Sequence, residues 1–145
     1  MNEVTLSRAI EAPPEAVRDA MADAEAFVRS SGFDEVEVDG ETVRVANDVG
    51  VASIELTLEL VDDPDADLAS EQREGIFESM RTEYVVAPAA GGSEVTATTE
   101  FALDVALIGD LLDGTVIERQ RRRELSAQFD WLEARCVDGS TATGE

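Results

Sequence analysis

The sequence predicts an α+β domain in which one curved antiparallel sheet of about six to seven strands wraps one long C-terminal helix. Three observations lead there. An alternating strand near the N-terminus runs into two prolines that start a helix. Apolar and polar residues then alternate, with turns, from Phe33 to Leu103. From Asp104 the period becomes helical and stays so for about thirty residues, longer than the usual helix.

Val4, Leu6 and Ile10 alternate with polar neighbours and predict a first strand, with Arg8 on its apolar side. Pro13-Pro14 favours the first turn of a helix, whose apolar stripe is Val17 and Met21. Asp23 is expected to cap a second short helix carrying Phe27 and Val28 and ended by Gly32. Val36 and Val38, then Asp39-Gly40, then Val43 and Val45 predict a two-residue hairpin with four valines on one face. Ile54, Leu56, Leu58 and Leu60 mark the next strand, and Asp62 to Asp65 a turn. Two weaker strands are expected over 67–77 and 79–88. Gly91-Gly92 turns the chain into a last strand ending at Leu103. Each strand has one apolar face, so the sheet needs one cover, and the terminal helix supplies it. The chain predicts a single domain over 1–137 and a flexible polar tail over 138–145.

Charge sets the chain apart. Its 145 residues carry 33 Asp plus Glu against 11 basic residues, a formal charge of -22, and every basic residue is Arg. At molar salt the Debye length falls to about 3 Å, so the self-repulsion is screened while carboxylates keep the surface hydrated. Acid surplus with Arg in place of Lys resembles the proteins of halophilic archaea. The same field opposes phosphate binding, so no nucleic-acid partner is expected. The N-terminus lacks a signal-like pattern and no run is long enough to insert in a membrane, which makes the cytoplasm the expected location.

The element order, with Ile10, Glu11, Ala12, Pro13 and Val17 joining the first strand to the first helix, resembles the START-like (SRPBCC, helix-grip) superfamily. Within it the similarity is greatest to the polyketide cyclase/dehydrase-like proteins. Many relatives carry Trp after that Val; this chain has Arg18, and its single Trp is Trp131. The resemblance implies an apolar or amphipathic ligand, such as a lipid, isoprenoid or polyketide, held between the sheet and the long helix. It brings no shared catalytic residues with it. Three functions follow as expectations: a carrier or sensor of a hydrophobic small molecule, a cyclase-like enzyme using carboxylate or Tyr acid/base chemistry, and an interaction module without ligand. A monomer or weak homodimer is expected.

The candidate cavity-lining residues are Arg8, Leu56, Thr82, Tyr84, Thr99, Phe101, Thr115, Glu118 and Arg122. The last three come from one stripe of the terminal helix, Ile108, Leu111, Thr115, Glu118, Arg122, Leu125, Phe129, Leu132 and Cys136, which is apolar at both ends and polar at its centre. Either Glu118 and Arg122 form a polar hook in the pocket, or the helix is rotated so that Val116 or Ile117 faces the sheet. Arg8 either meets a ligand oxygen or pairs with a nearby Glu. Arg121-Arg122-Arg123 either grips an anionic ligand or partner or forms a solvated basic island balanced by acids such as Glu118 and Glu124.

Asp63, Asp65, Asp67 and Glu74 have calcium-loop spacing, but Leu68 stands where the loop's sharp turn needs Gly. They read as background acidity. With no His and one Cys, Cys136, no metal site of ordinary ligands, no cofactor and no His-dependent catalysis are expected.

Overall fold

A computed structural model describes residues 2–49, 52–103 and 114–138. The strand β1 (Asn2–Ile10) is followed by helices α1 (Pro14–Ala22) and α2 (Ala24–Arg29). Six strands come next: β2 (Glu35–Asp39), β3 (Thr42–Val49), β4 (Ala52–Val61), β5 (Leu68–Glu74), β6 (Phe77–Ala89) and β7 (Gly92–Leu103). The long helix α3 (Gly114–Glu133) runs into a wider π-helical turn over Ala134–Asp138. The seven strands form one antiparallel sheet in the order β1-β7-β6-β5-β4-β3-β2. The architecture is the expected helix-grip fold. The expected tail beyond 138, and the expected start of the long helix over 104–113, lie outside the described residues.

Local chemistry places the elements. Pro14 occupies the first helical position of α1, where its missing N–H costs nothing. Asp23 sits at the start of α2 but makes no cap; its carboxylate takes a hydrogen bond from Arg135 at 3.0 Å. In the first hairpin Val36 pairs with Val45 and Val38 with Val43, as the valine pattern requires. Its loop is Gly40-Glu41, one residue later than expected, and Gly40 takes the left-handed φ of 64° that the turn needs. Two bulges bend the sheet. β5 carries an extra residue opposite Thr57/Leu58, and β6 one between Phe77 and Ser79.

The concave face and the helices share one core. Phe27 is fully buried, edge-on to Tyr84 with ring centroids 5.0 Å apart and tilted against Trp131 at 6.0 Å. Phe77 and Phe101 make a second edge-to-face pair at 5.4 Å. Arg18 ties α1 to the sheet, donating to the Val86 carbonyl at 2.9 Å and to Asp67 at 2.7 Å. β7 opens against the β1–α1 junction: Ser93 donates to the Ala12 carbonyl at 2.6 Å, and a Cβ at Gly92 would collide with the backbone of Ile10 and Ala12.

Two aspartates of the 62–67 turn have structural roles. Asp63 accepts the Asp65 N–H at 2.8 Å and pairs with Arg81 at 2.5 Å. Asp67 accepts the Val86 N–H at 2.6 Å as well as Arg18. Among the described residues no group of three or more His, Cys, Asp or Glu is placed to hold a metal ion.

Candidate functional site

Alternation along β6 turns Thr82, Tyr84 and Val86 inward, and along β7 it turns Val95, Ala97, Thr99 and Phe101 inward. The register sets Thr82 directly opposite Thr99, and their hydroxyls share a hydrogen bond of 2.9 Å. Above them α3 presents Ile117, Arg121, Glu124 and Gln128, spaced by threes and fours along one face.

The two charged members of that face are buried. Arg121 is 8% exposed and Glu124 6%. A lone charge in such a place is costly, so the fold surrounds these two with partners. Arg121 donates from Nη1 to Glu124 Oε1 at 2.9 Å, from Nε to Thr99 at 2.9 Å, and from Nη2 to Thr82 at 3.2 Å. A longer contact of 3.5 Å joins Nη2 to the Tyr84 hydroxyl. Gln120 and Asn47 donate to the other Glu124 oxygen at 3.2 and 3.4 Å. Tyr84 donates its own proton to Gln128 Oε1 at 2.6 Å, and Gln128 in turn donates to the Phe27 carbonyl at 3.2 Å. The chain of donors therefore runs from Arg121 through Tyr84 and Gln128 to α2. Among the described residues no buried side-chain nitrogen or oxygen lacks a partner.

Electrostatics fix the protonation of two groups. Burial pushes the Tyr84 hydroxyl above its ordinary range, against the pull of Arg121, so Tyr84 is a neutral donor. Burial works against the Arg121 charge, but the Glu124 carboxylate bonded to it outweighs that and holds the guanidinium ionised.

This network forms one wall of a cavity between the sheet and α3, with a volume of about 70 Å³. The other walls are apolar: Phe27, Val43, Val45, Ile54, Leu56 and Phe101 are among them. Ligand pockets usually measure ~300–1,000 Å³, so this cavity is smaller than the usual ligand site. Val28, Phe33, Leu58, Leu60, Leu68 and Met80 line the cavity while remaining half-exposed.

The sequence-derived candidates divide. Leu56, Thr82, Tyr84 and Phe101 line the cavity. Thr99 is fully buried behind Thr82 and holds Arg121. Thr115 and Arg122 are exposed, and the half-buried Glu118 accepts a hydrogen bond from Asn2 at 3.1 Å. The expected hook is thus displaced: the helix is rotated so that Ile117 faces the sheet, and Arg121 with Glu124 stands in the place expected for Arg122 with Glu118. The basic island is split for the same reason, with Arg122 and Arg123 exposed and Arg121 buried.

Arg8 is outside the cavity. It donates to Asp130 at 2.5 Å and Glu133 at 2.9 Å and lies 5.6 Å above the Phe129 ring, which makes it a clamp between β1 and α3. Gln128, Gln120 and Asn47 are cavity-lining residues that the sequence reading does not name, and Arg121 and Glu124 are ones it assigns to the solvated face. Counting back by threes and fours from Leu132 and Phe129 through Gln128 and Leu125, and choosing the line that ends on Ile117, leads to Arg121 and Glu124.

The sequence matches the family model described as polyketide cyclase / dehydrase and lipid transport over residues 1–137. The chain belongs to that family. No curated protein sequence matches it. Among solved structures, a protein from Thermus thermophilus is similar at 23% identity and a TM-score of 0.74, with 96% of this chain and 99% of that one covered. The Zhui aromatase/cyclase of Streptomyces sp. R1128 is similar at 22% identity and a TM-score of 0.74, covering 92% and 94%. A START superfamily protein from Mycobacterium smegmatis is 12% identical with a TM-score of 0.70, covering 92% and 96%. Those likenesses show a shared fold. Membership of the polyketide cyclase / dehydrase and lipid transport family supports a role in hydrophobic-ligand binding or in cyclase chemistry.

Proposed function

We propose that this domain is a carrier or sensor that holds an apolar small molecule in the cavity, with the molecule's polar end against the Arg121–Tyr84 wall. One observation carries the reading: an apolar cavity between sheet and helix has a single polar wall, and that wall is rigidly hydrogen-bonded. Lipid, isoprenoid and polyketide-like molecules all have this polarity. The test is native mass spectrometry of protein purified from its own cells in concentrated salt, followed by extraction of whatever accompanies it. A reproducible adduct released by organic solvent supports the carrier. Protein that is empty in every preparation and takes up no apolar probe overturns it.

A second reading, a cyclase-like enzyme, is favoured by Glu124, the one carboxylate lining the cavity among the described residues, standing beside Arg121 and Tyr84. It ranks second because both Glu124 oxygens and the Tyr84 proton are already engaged within the wall. Turnover of a poly-β-keto substrate that disappears in a folded Glu124→Gln variant would reverse the order. An interaction module without ligand ranks third. Such a module needs an exposed apolar patch, whereas Val85 is the one large apolar side chain exposed among the described residues.

The proposed setting is the cytoplasm of a cell that accumulates salt. The net charge of -22 and the all-Arg basic set support the salt. No helix among the described residues is long and apolar enough to cross a membrane.

A further inference from the structure

We infer that the cavity selects a neutral, oxygen-bearing molecule, of alcohol or ketone type, over the matching carboxylate or ammonium ion, because Glu124 cancels the charge of Arg121 within the wall itself. This rests on the binding reading above and names the class of ligand for the same site.

Among the described residues, Arg121 and Glu124 are the only charged ones lining the cavity, and they bond to each other. The wall is therefore polar but uncharged in sum. A buried arginine facing an apolar pocket ordinarily suggests a carboxylate ligand. Here the guanidinium already has its carboxylate. An incoming anion would share Arg121 with Glu124, leaving one negative charge in excess in a dry site. An ammonium group would meet Glu124 only by approaching Arg121, with the opposite sign of the same penalty.

A neutral oxygen faces no such barrier. The two weakest links in the wall are Arg121 Nη2 to Tyr84 at 3.5 Å and Asn47 to Glu124 at 3.4 Å, both at the outer limit of a hydrogen bond. A hydroxyl or carbonyl oxygen inserted at the first accepts from Arg121, and a hydroxyl at the second donates to Glu124. Neither insertion breaks the ion pair at 2.9 Å.

The acidic surface of the whole chain also repels anions, but by a different mechanism with a different salt dependence. Surface repulsion is screened at molar salt, whereas an interaction inside the wall is not. Discrimination that persists in concentrated salt therefore belongs to the wall.

The test is titration of the whole protein with 1-octanol, octanoate and octylammonium at pH 8 in molar KCl. Heat and Trp131 emission serve as readouts, since Trp131 packs on Phe27, a cavity-lining ring. Octanol is expected to bind on the order of 100-fold tighter than either ion, the scale of a like-charge juxtaposition. Octanoate or octylammonium within about tenfold of octanol overturns the charge argument and leaves the cavity reading intact. Failure of all three probes to bind overturns both.

Glu124→Gln supplies an independent arm, because it leaves Arg121 as an uncompensated cation. In the folded variant octanoate is expected to gain at least about tenfold relative to octanol. An unchanged ratio overturns the inference. Should this variant not fold, the wild-type series still decides.

Discussion

Arg121 Nη1 and Glu124 Oε1 lie 2.9 Å apart on adjacent turns of one helix, and both side chains are buried. Arg8 makes the same kind of pair with Asp130 and Glu133, but its side chain is 27% exposed and theirs 71% and 43%. Equal geometry in unequal surroundings gives these arginines different energetic weights.

Arg121→Met leaves Glu124 buried without its cation and is expected to cost about 3–5 kcal/mol. The double variant Arg121→Met, Glu124→Leu removes both charges and is expected to regain most of that loss. Urea unfolding of the two single variants and the double variant measures the coupling directly. A double variant as unstable as the sum of the singles would show that the pair does not act as a unit.

Arg8→Gln is expected to cost at most ~1 kcal/mol, because its partners are largely in water. The loss should shrink further as salt rises. Equilibrium unfolding at two salt concentrations checks both the size and the trend.

Tyr84 introduces an alkaline limit. Its folded-state pKa is raised, so the folded protein retains a proton that the unfolded chain releases. The contribution is intact below the ordinary tyrosine value of about 10 and drains away as pH climbs from there towards the raised value. Tyr84→Phe should abolish this part of the alkaline loss. It should also cost about 1–3 kcal/mol at neutral pH by leaving Gln128 Oε1 without its donor. Unfolding free energy against pH for both proteins is the measurement.

Cys136, the only thiol, is buried and its pKa is raised, chiefly by burial, with Arg135 opposing. Thiolate is the reactive form, so alkylation of native protein is expected to be slow and to accelerate on unfolding. Equal rates in folded and unfolded protein would contradict the packing at the end of α3.

Lowering KCl from molar to roughly 0.1 M lengthens the Debye length to ~10 Å and exposes the chain to its own repulsion. The thermal midpoint should fall accordingly. A midpoint independent of salt would remove the argument from charge for a saline setting.

Most of the fold is legible in the sequence. Alternation in 33–103, the Asp39-Gly40 signal and Pro13-Pro14 mark the strands, the first hairpin and the first helix, because each is a local rule with one apolar face to satisfy. The site is half legible. Thr82, Tyr84, Phe101 and Leu56 follow from strand period, which is an integer and does not drift. A helix stripe can be continued by three residues or by four, to positions about 100° apart, so stepping from Leu125 to Arg122 rather than to Arg121 leaves the true face. The true face is hard to see because it carries Arg121 and Glu124. Hydropathy assigns such residues to solvent, and only pairing across the tertiary fold makes their burial tolerable.

The sources of the two kinds of cavity wall differ. The β3–β4 hairpin contributes Val43, Val45, Ile54, Leu56, Leu58 and Leu60, interrupted by Asn47, while the hydrogen-bonding groups come mainly from β6, β7 and α3. The pocket is thus modular. Trimming or enlarging hairpin side chains would retune its length and girth, leaving the chemistry of its polar end as it stands. On this plan the shape of the cavity is set through one hairpin and the chemistry of its polar wall largely through one helix.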